Sequence, residues 1–156
     1  MKAIYVKEYG GRDKLISGEL PDPQPQEGEV LVRIKAAGVN PVDWKIRAGY
    51  LKSRMPNVLP IILGWYVAGV VEERGLGARR FQAGDRVYAY CRKNTIHDGT
   101  YAEYIALPEC YLASMPEGLN FMKAAAVPLT ALTAYQGLID KAALKKGETC
   151  LIVGAS

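Results

Sequence analysis

The stretch VLVRIKAAGVNPVDWKIRAG, residues Val30–Gly49, decides the fold because a strand in it leads directly into a short helix. Apolar side chains alternate along Val30–Val39, which is typical of a strand. Helix signals follow at once, since Asn40 suits an N-cap, Pro41 suits the first turn and Gly49 suits the exit. The stretch therefore predicts one strand followed by a single short helix.

Short strands lie outward from this stretch on both sides, separated by glycines and prolines, as far as about residue 113. Gly64 and Gly69 interrupt one of them, and glycine inside a strand indicates a bulge or a close backbone approach. This pattern is typical of an irregular barrel or sandwich. The predicted segments are a strand at 2–7, an exposed extended connection at 21–29, an interrupted buried strand at 61–73, and β-rich segments at 83–90 and 100–107.

The character of the sequence changes after MPEGLN, Met115–Asn120. Residues 121–144 are rich in Ala and Leu at helical spacing and predict a helix that is broken near Pro128. KKGETCLIVGAS, Lys145–Ser156, then predicts a turn and a strand at Cys150–Val153 that runs into glycine, as a dinucleotide-binding unit begins. A complete unit needs on the order of 100 further residues, so we expect either a fragment or a strand appended to the barrel.

Composition limits the class of protein. Of the 156 residues, 49% are hydrophobic and 23% are charged, which is enough apolar material for one compact core. The net charge is +4, but the basic residues are scattered, so we expect no nucleic-acid partner. The small cluster of Arg74, Arg79 and Arg80 is interpreted as a solvated turn between strands.

Targeting and redox signals are also weak in the sequence. There is no run of about 18 apolar residues, and the first residues carry charge, so we expect a soluble, cytoplasmic protein without a membrane partner. The three cysteines, Cys91, Cys110 and Cys150, lie far apart. Their number and spacing argue against a disulfide framework and against a zinc knuckle.

Six segments, in order along nearly the whole chain, resemble the zinc-independent branch of the medium-chain dehydrogenase/reductase superfamily. The resemblance is greatest to quinone oxidoreductases and the related alkenal or enone oxidoreductases. It implies a mainly β fold with some α, in which residues 1–119 form a GroES-like irregular β-barrel. Residues 120–156 would then be the first helices and first strand of a truncated Rossmann domain. The segments are AAGVNPVDWKIRAGY (36–50), LPIILGWYVAGVV (59–71), FQAGDRVYAY (81–90), GTYAEYIALP (99–108), LASMPEGLNFMKAAAVPLTALTAYQGL (112–138) and KKGETCLIVGAS (145–156).

The resemblance also shows which positions would have to carry zinc ligands. Zinc-dependent relatives have Cys where this chain has Asn40, and a His-Glu pair where it has Trp65 and Tyr66. Indole and phenol cannot replace those ligands. The structural zinc lobe needs four closely spaced cysteines, which this chain lacks, so we expect no metal.

Candidate catalytic residues follow from the same resemblance. It implies that Asn40 lies near the nicotinamide ribose and the substrate, where a neutral amide can donate to ligand oxygens; helix capping alone also explains this residue. Lys45 can stabilise negative charge on an enone or quinone oxygen, or it is an exposed helix lysine. Tyr50 is a candidate for the pocket mouth. Position 66 is Tyr in this chain, whereas relatives usually carry an acidic residue at this place. The loss of that carboxylate puts in doubt a local hydrogen bond or a charge near the cleft.

Candidate cofactor contacts besides Asn40 lie in the second half of the chain. Thr133 matches a family residue at the nicotinamide end, although a threonine bonding back to its own helical turn explains it equally well. The segment Gly154, Ala155 and Ser156 matches the opening of the loop beneath the cofactor phosphates. The lone His97 is interpreted as a loop residue, because no Ser or Cys partner lies near it in the sequence.

The function implied by the resemblance is hydride transfer from NADPH to a quinone or an α,β-unsaturated carbonyl compound, without zinc. The cofactor would do the redox chemistry and the protein would supply positioning and electrostatic stabilisation. The 156 residues alone are expected to be inactive. A non-enzymatic GroES-like assembly module and a zinc-type alcohol dehydrogenase remain the alternatives. The acceptor, the choice of NADPH over NADH and the oligomeric state stay open, with a homodimer of the full-length enzyme as one possibility.

Overall fold

The structure is a computed structural model, and it describes residues 1–154. Strands dominate the first 114 residues, and helices follow them, so the mainly β fold with few helices is confirmed. Short 3-10 turns lie at Arg12–Lys14 and Glu109–Tyr111. The elements are β1 (Lys2–Val6), β2 (Ile16–Glu19), β3 (Glu29–Gly38), α1 (Pro41–Arg47), β4 (Ile61–Ile62), β5 (Tyr66–Arg74), β6 (Arg86–Tyr90), β7 (Tyr104–Pro108), β8 (Leu112–Ser114), α2 (Phe121–Ala126), α3 (Pro128–Tyr135) and a π-helical segment at Gln136–Lys141.

The strands form two antiparallel sheets. The larger sheet has the order β7-β3-β5-β6-β8, and the smaller has the order β2-β1-β4. The sheets meet where Ala3 pairs with Ala102 in an isolated bridge and the Ile4 N–H donates to the Tyr101 carbonyl at 2.7 Å. These pairings establish two joined sheets, and closure into a barrel stays a prediction.

The central strand β3 departs from the simple alternation that the sequence predicts. Val30 and Val32 are fully buried as expected, but Leu31 between them is buried as well. The pairing of β3 with β5 shifts register between Leu31 and Val32 and again between Ile34 and Ala36. Such bulges twist a strand and change the direction of its side chains, so both faces of its first half are covered.

Two apolar clusters hold the elements that matter for the site. One consists mainly of side chains from the larger sheet. Burial of each fully buried aliphatic side chain in it contributes about 1.5–3 kcal/mol to the stability of the fold. The other fixes α1 against β1 and against the junction of β4 and β5. Its buried members are Val6, Ile46, Ile61, Leu63, Trp65, Tyr66 and Ile96.

The predicted interruption of the strand at 61–73 is confirmed and has a steric cause. Gly64 separates β4 from β5 with φ +92°, and a Cβ on it would lie 2.3 Å from Thr100 Oγ1. A Cβ on Gly69, within β5, would lie 2.3 Å from the Arg33 carbonyl oxygen on β3. Glycine is therefore required at both places for the backbones to approach.

The broken helix is also confirmed. The Asn120 side chain caps α2 by accepting from the Lys123 N–H at 2.9 Å. Helix α3 begins at Pro128, which has no N–H to donate and is suited to the first position of a helix. Within residues 1–154, no helix is long and apolar enough to cross a lipid bilayer.

The strand predicted at Cys150–Val153 is wrong for this structure. These residues form no strand, and Leu151 and Val153 are each 88% exposed. A strand is stabilised by ladder bonds to a neighbour, and none of the strands in residues 1–154 pairs with this segment. The proposed cofactor contacts at Ala155 and Ser156 lie outside the described residues.

Candidate functional site

The site is built around the junction of β3 and α1. Asn40 is the N-cap of α1, with extended backbone, as predicted. Its backbone N–H donates to Asp43 Oδ2 at 2.7 Å, and its carbonyl accepts from the Asp43 N–H at 2.9 Å. The bond from the Asn40 N–H to the Asp43 side chain is one half of a capping box, and with the backbone bond it fixes the backbone that carries the Asn40 side chain.

Asp43 is the residue that sequence reasoning missed. Its side chain is buried, with 4% exposure, and Oδ2 also accepts the Tyr101 O–H at 2.8 Å. Burial raises the pKa of the Asp43 carboxyl, and hydrogen bonds from Asn40 and Tyr101 oppose this rise. The spacing of Asn40 and Asp43, three residues apart at a helix start, is the signal that was available.

Further buried polar oxygens lie in this part of the fold. Asp43 Oδ1, Tyr66 Oη and Thr100 Oγ1 have no hydrogen-bond partner among residues 1–154. Burial is the main cause that raises the pKa of Tyr66, and the charges of Tyr90 and Asp43 add to it. An unpaired buried oxygen costs about 1–3 kcal/mol, and such groups call for a functional or structural explanation. Asp43 thus supplies a buried carboxylate near Tyr66, where the sequence suggested that an acid was lost.

Lys45 and Tyr50 lie together at the other end of α1. The Tyr50 N–H donates to the Lys45 carbonyl at 2.9 Å. Lys45 Nζ lies 5.8 Å from the centre of the Trp44 ring, and the Trp44 and Tyr50 rings meet edge to face at 5.6 Å. Both Lys45 and Tyr50 are exposed, so the structure groups these two candidates at the surface rather than in the buried network of Asn40.

Thr133 lies on α3 and is exposed. In the part of the chain that is described, the threonine that bonds back to its own helix is Thr130, whose hydroxyl donates to Ala126 and Val127 at 2.9 Å each. Leu129 on the same helix packs against the apolar cluster of α1. The helix that carries Thr133 is thus anchored near the Asn40 network, whereas Gly154 is exposed.

Several cavities border these elements, and two of them lie beside Trp65 and beside α3. The first, which we call the Trp65 pocket, has a volume of about 320 Å³ and is lined by Leu51, Arg54, Met55, Trp65 and Arg92. The second is an apolar groove of about 340 Å³ between the β6–β8 edge and α3. It is lined by Tyr88, Ala89, Tyr90, Tyr111, Ala113, Val127, Pro128, Ala131, Leu132 and Tyr135.

Residues 1–154 contain no group of three or more His, Cys, Asp or Glu side chains placed to hold an ion. His97 Nδ1 lies 2.8 Å from the Val58 carbonyl, so this histidine links two loops. The described thiols are free, with Cys91 buried and Cys110 and Cys150 exposed.

Comparison with known proteins places this geometry among oxidoreductases. The model of the alcohol dehydrogenase GroES-like domain matches residues 26–117. Human quinone oxidoreductase is 41% identical over 157 residues, covering 100% of this chain and 46% of the human protein. The 2-methylene-furan-3-one reductase of Solanum lycopersicum is 37% identical over 161 residues, covering 100% of this chain and 41% of that protein.

Solved structures agree with this result. The Escherichia coli quinone oxidoreductase in complex with NADPH superposes with a TM-score of 0.80 at 32% identity, covering 91% of this chain and 41% of that one. The chain spans a little under half the length of the curated relatives it matches.

Proposed function

The chain belongs to the alcohol dehydrogenase GroES-like domain family, in the quinone oxidoreductase-like part of the medium-chain dehydrogenase/reductase superfamily, and from this we propose that its protein reduces quinones or α,β-unsaturated carbonyl compounds with NADPH. One observation carries the proposal beyond similarity. It is the double backbone clamp by which Asp43 fixes Asn40 at the junction of β3 and α1. A ligand-binding amide must be held in place to bind well.

The residues present fit the nicotinamide end of the cofactor. Asn40 is half-buried at the end of the larger sheet, and its amide can both donate and accept. The unpaired Tyr66 hydroxyl lies in the apolar cluster that packs against α1. We assign Asn40 and Thr133 to the nicotinamide end, and Gly154, Ala155 and Ser156 to the start of the phosphate loop.

When bound, NADPH supplies a hydride to the electron-poor carbon of the acceptor, and a proton from water or a nearby donor completes the reduction. The chain contributes position and charge. In this proposal Asn40 orients the ligands, while Lys45 stabilises negative charge on the acceptor oxygen at the surface end of α1. Tyr50 lies beside Lys45 and lines the mouth of the cleft.

Zinc independence is part of the same proposal. The side chains at positions 40, 65 and 66 are an amide, an indole and a phenol, none of which belongs to the usual ligand sets of catalytic zinc. Elemental analysis of the purified full-length protein is expected to find well under one zinc per chain. A stoichiometric zinc content would favour the alternative of a zinc-type alcohol dehydrogenase.

The domain division is proposed as well. Residues 1–119 would form the GroES-like substrate-side domain and residues 120–156 the beginning of the nucleotide-binding domain. The change from strands to helices after β8 supports this division. Helix α2 nevertheless buries Ala124 and Ala125 against the larger sheet, so the second part is packed firmly onto the first.

The decisive experiment separates the two roles of Asn40. Asp is as good an N-cap as Asn, so Asn40→Asp preserves the helix start but removes a neutral donor. In the full-length protein, we expect the variant to unfold within about 0.5 kcal/mol of the wild type and to lose about tenfold or more in kcat/KM for NADPH oxidation by a quinone. Unchanged kinetics would assign Asn40 to capping alone, and absence of any turnover by the wild type would favour the non-enzymatic module.

A further inference from the structure

The walls of the Trp65 pocket carry positive charge that no carboxylate among the described residues neutralises. Two of its five lining residues, Arg54 and Arg92, are exposed arginines. Neither forms an ion pair with any carboxylate in residues 1–154. A guanidinium without a carboxylate at the edge of a cavity attracts anions.

The surrounding sequence strengthens this charge. The five lining residues lie in the stretches 51–65 and 90–93, which contain no Asp or Glu. The basic residues of these stretches are Lys52, Arg54, Arg92 and Lys93. Lys93 is paired with Asp98 at 3.2 Å, but the other three lack such a partner in the described chain.

The inner wall of the pocket is flat and apolar. Trp65 is only 8% exposed, and its ring is held edge to face against Tyr90 at 6.3 Å. The Arg92 guanidinium lies over the Trp65 ring, 5.9 Å from its centre. A rigid indole with a planar guanidinium stacked on it suits a planar conjugated molecule that carries negative charge.

The hydrogen-bonding capacity of Arg92 is only partly used. Its Nη2 lies 3.6 Å from Met55 Sδ, and thioether sulfur is a weak acceptor. Burial raises the pKa of the Tyr90 phenol, and the charge of Arg92 and a hydrogen bond from it oppose this rise. A guanidinium has five N–H donors in a fork that matches carboxylate geometry, so donors remain for a ligand.

We propose that the Trp65 pocket selects hydride acceptors that bear an anionic group, a carboxylate or a sulfonate, next to the conjugated system. Arg92, with Arg54, pairs with the anion, and Trp65 lies against the planar part of the acceptor. This inference rests on the proposed function and narrows its substrate class.

The kinetic test compares 1,4-naphthoquinone with 1,4-naphthoquinone-2-sulfonate as acceptors for the full-length protein and NADPH. We expect Arg92→Gln to lower kcat/KM for the sulfonate by about tenfold or more, with less than about threefold change for the neutral quinone. Arg92→Lys should recover part of the loss. Arg33→Gln removes an arginine paired with Glu72 outside the pocket and should leave both acceptors unaffected. Equal losses for the two quinones in Arg92→Gln would overturn the proposal.

Two further measurements keep the inference testable if Arg92→Gln fails to fold. Arg54→Gln should lower kcat/KM for the sulfonate more than for the neutral quinone. Raising the salt concentration should raise the wild-type KM for the sulfonate more than for the neutral quinone. Calorimetric titration of the sulfonate without NADPH separates the two claims. Salt-sensitive binding without turnover would support the anion preference of the Trp65 pocket and contradict the proposed reductase activity. Turnover of both quinones without a charge preference would contradict the anion preference alone.

Discussion

Asp43 couples the stability of the protein to pH because its carboxyl is buried. Its pKa lies above the ordinary value for Asp in the folded state, chiefly through burial. Between those two values the folded protein binds more protons than the unfolded chain, so the stability contributed by protonated Asp43 is lost as pH rises through the window.

Asp43→Asn is expected to remove this pH dependence. The free energy of unfolding of the variant should rise relative to that of the wild type as pH increases from about 4 upward. Urea denaturation of both proteins across this range measures the difference. Asp140→Asn, which removes an exposed carboxylate, serves as the control, and parallel pH profiles for Asp43→Asn and wild type would contradict the expectation.

Gly64 and Gly84 form a matched pair for testing the close approach beside the site. Their φ angles are +92° and +95°, but a Cβ would meet Thr100 and Tyr101 at Gly64 and nothing within 4 Å at Gly84. We expect Gly84→Ala to cost about 1–2 kcal/mol from backbone strain. Gly64→Ala should cost about 1–3 kcal/mol more, because overpacking adds to the strain. Urea denaturation measures the free energy of unfolding of both variants. Equal losses in the two variants would show that the contact with Thr100 relaxes freely.

At the residue scale, the sequence predicted the place of a residue within a helix or strand better than it predicted its hydrogen-bond partners. Asn40 was identified as a helix cap because capping depends on local spacing, which a sequence displays directly. The burial of Asp43 depends on Tyr101, which lies 58 positions away. No local pattern in the sequence reveals such a contact, so the bond from Tyr101 required the structure, whereas the clamp on Asn40 could have been inferred from its three-residue spacing to Asp43.

At the scale of elements, one carboxylate holds a turn that carries two of the clustered arginines. The backbone N–H groups of Arg79 and Arg80 donate to Glu109 Oε2 at 2.8 and 2.7 Å. These bonds, the one from Arg80 above all, lower the pKa of the Glu109 carboxyl. The cluster is therefore a turn pinned by its backbone, in agreement with its interpretation as a solvated connection.

Removing this carboxylate should loosen the turn without unfolding the protein. In Glu109→Ala we expect the amide hydrogens of Arg79 and Arg80 to exchange several-fold faster at neutral pH, because their acceptor is gone. Hydrogen exchange followed by NMR measures each amide. Glu117→Ala removes an exposed carboxylate elsewhere and should leave these two amides unchanged. Unchanged exchange in Glu109→Ala itself would show that the acceptor is dispensable.

Elements defined by strong local signals were predicted well, and those that depend on neighbours were not. The break before Pro128 follows from proline chemistry alone, and the structure has it at Val127. The segment Cys150–Val153 has the composition of a strand, but strand formation requires pairing. Likewise Leu31 is buried because of bulges in β3 that alternation cannot show.

At the scale of the whole molecule, the described residues include those that we assign to the nicotinamide end of the proposed cofactor site and the first glycine assigned to its phosphate loop. We expect micromolar NADPH to shift the melting temperature of the 156-residue chain, produced alone, by less than about 1 °C, because a ligand stabilises only the form that binds it. The full-length protein should shift clearly under the same conditions. A comparable shift for the 156-residue chain would mean that it holds the cofactor by itself.

Strands that pair in the fold lie far apart in the sequence, so the ribosome synthesises them at different times. Strand β3 is completed by β7, and Ile4 in β1 donates to Tyr101, almost a hundred residues later. At about 5–20 residues per second on the ribosome, the first strand waits on the order of 5–20 s for this partner to be made. During that interval β1 and β3 lack their final neighbours, so the apolar side chains that these strands bury in the fold stay exposed on the nascent chain until residues 101–108 emerge.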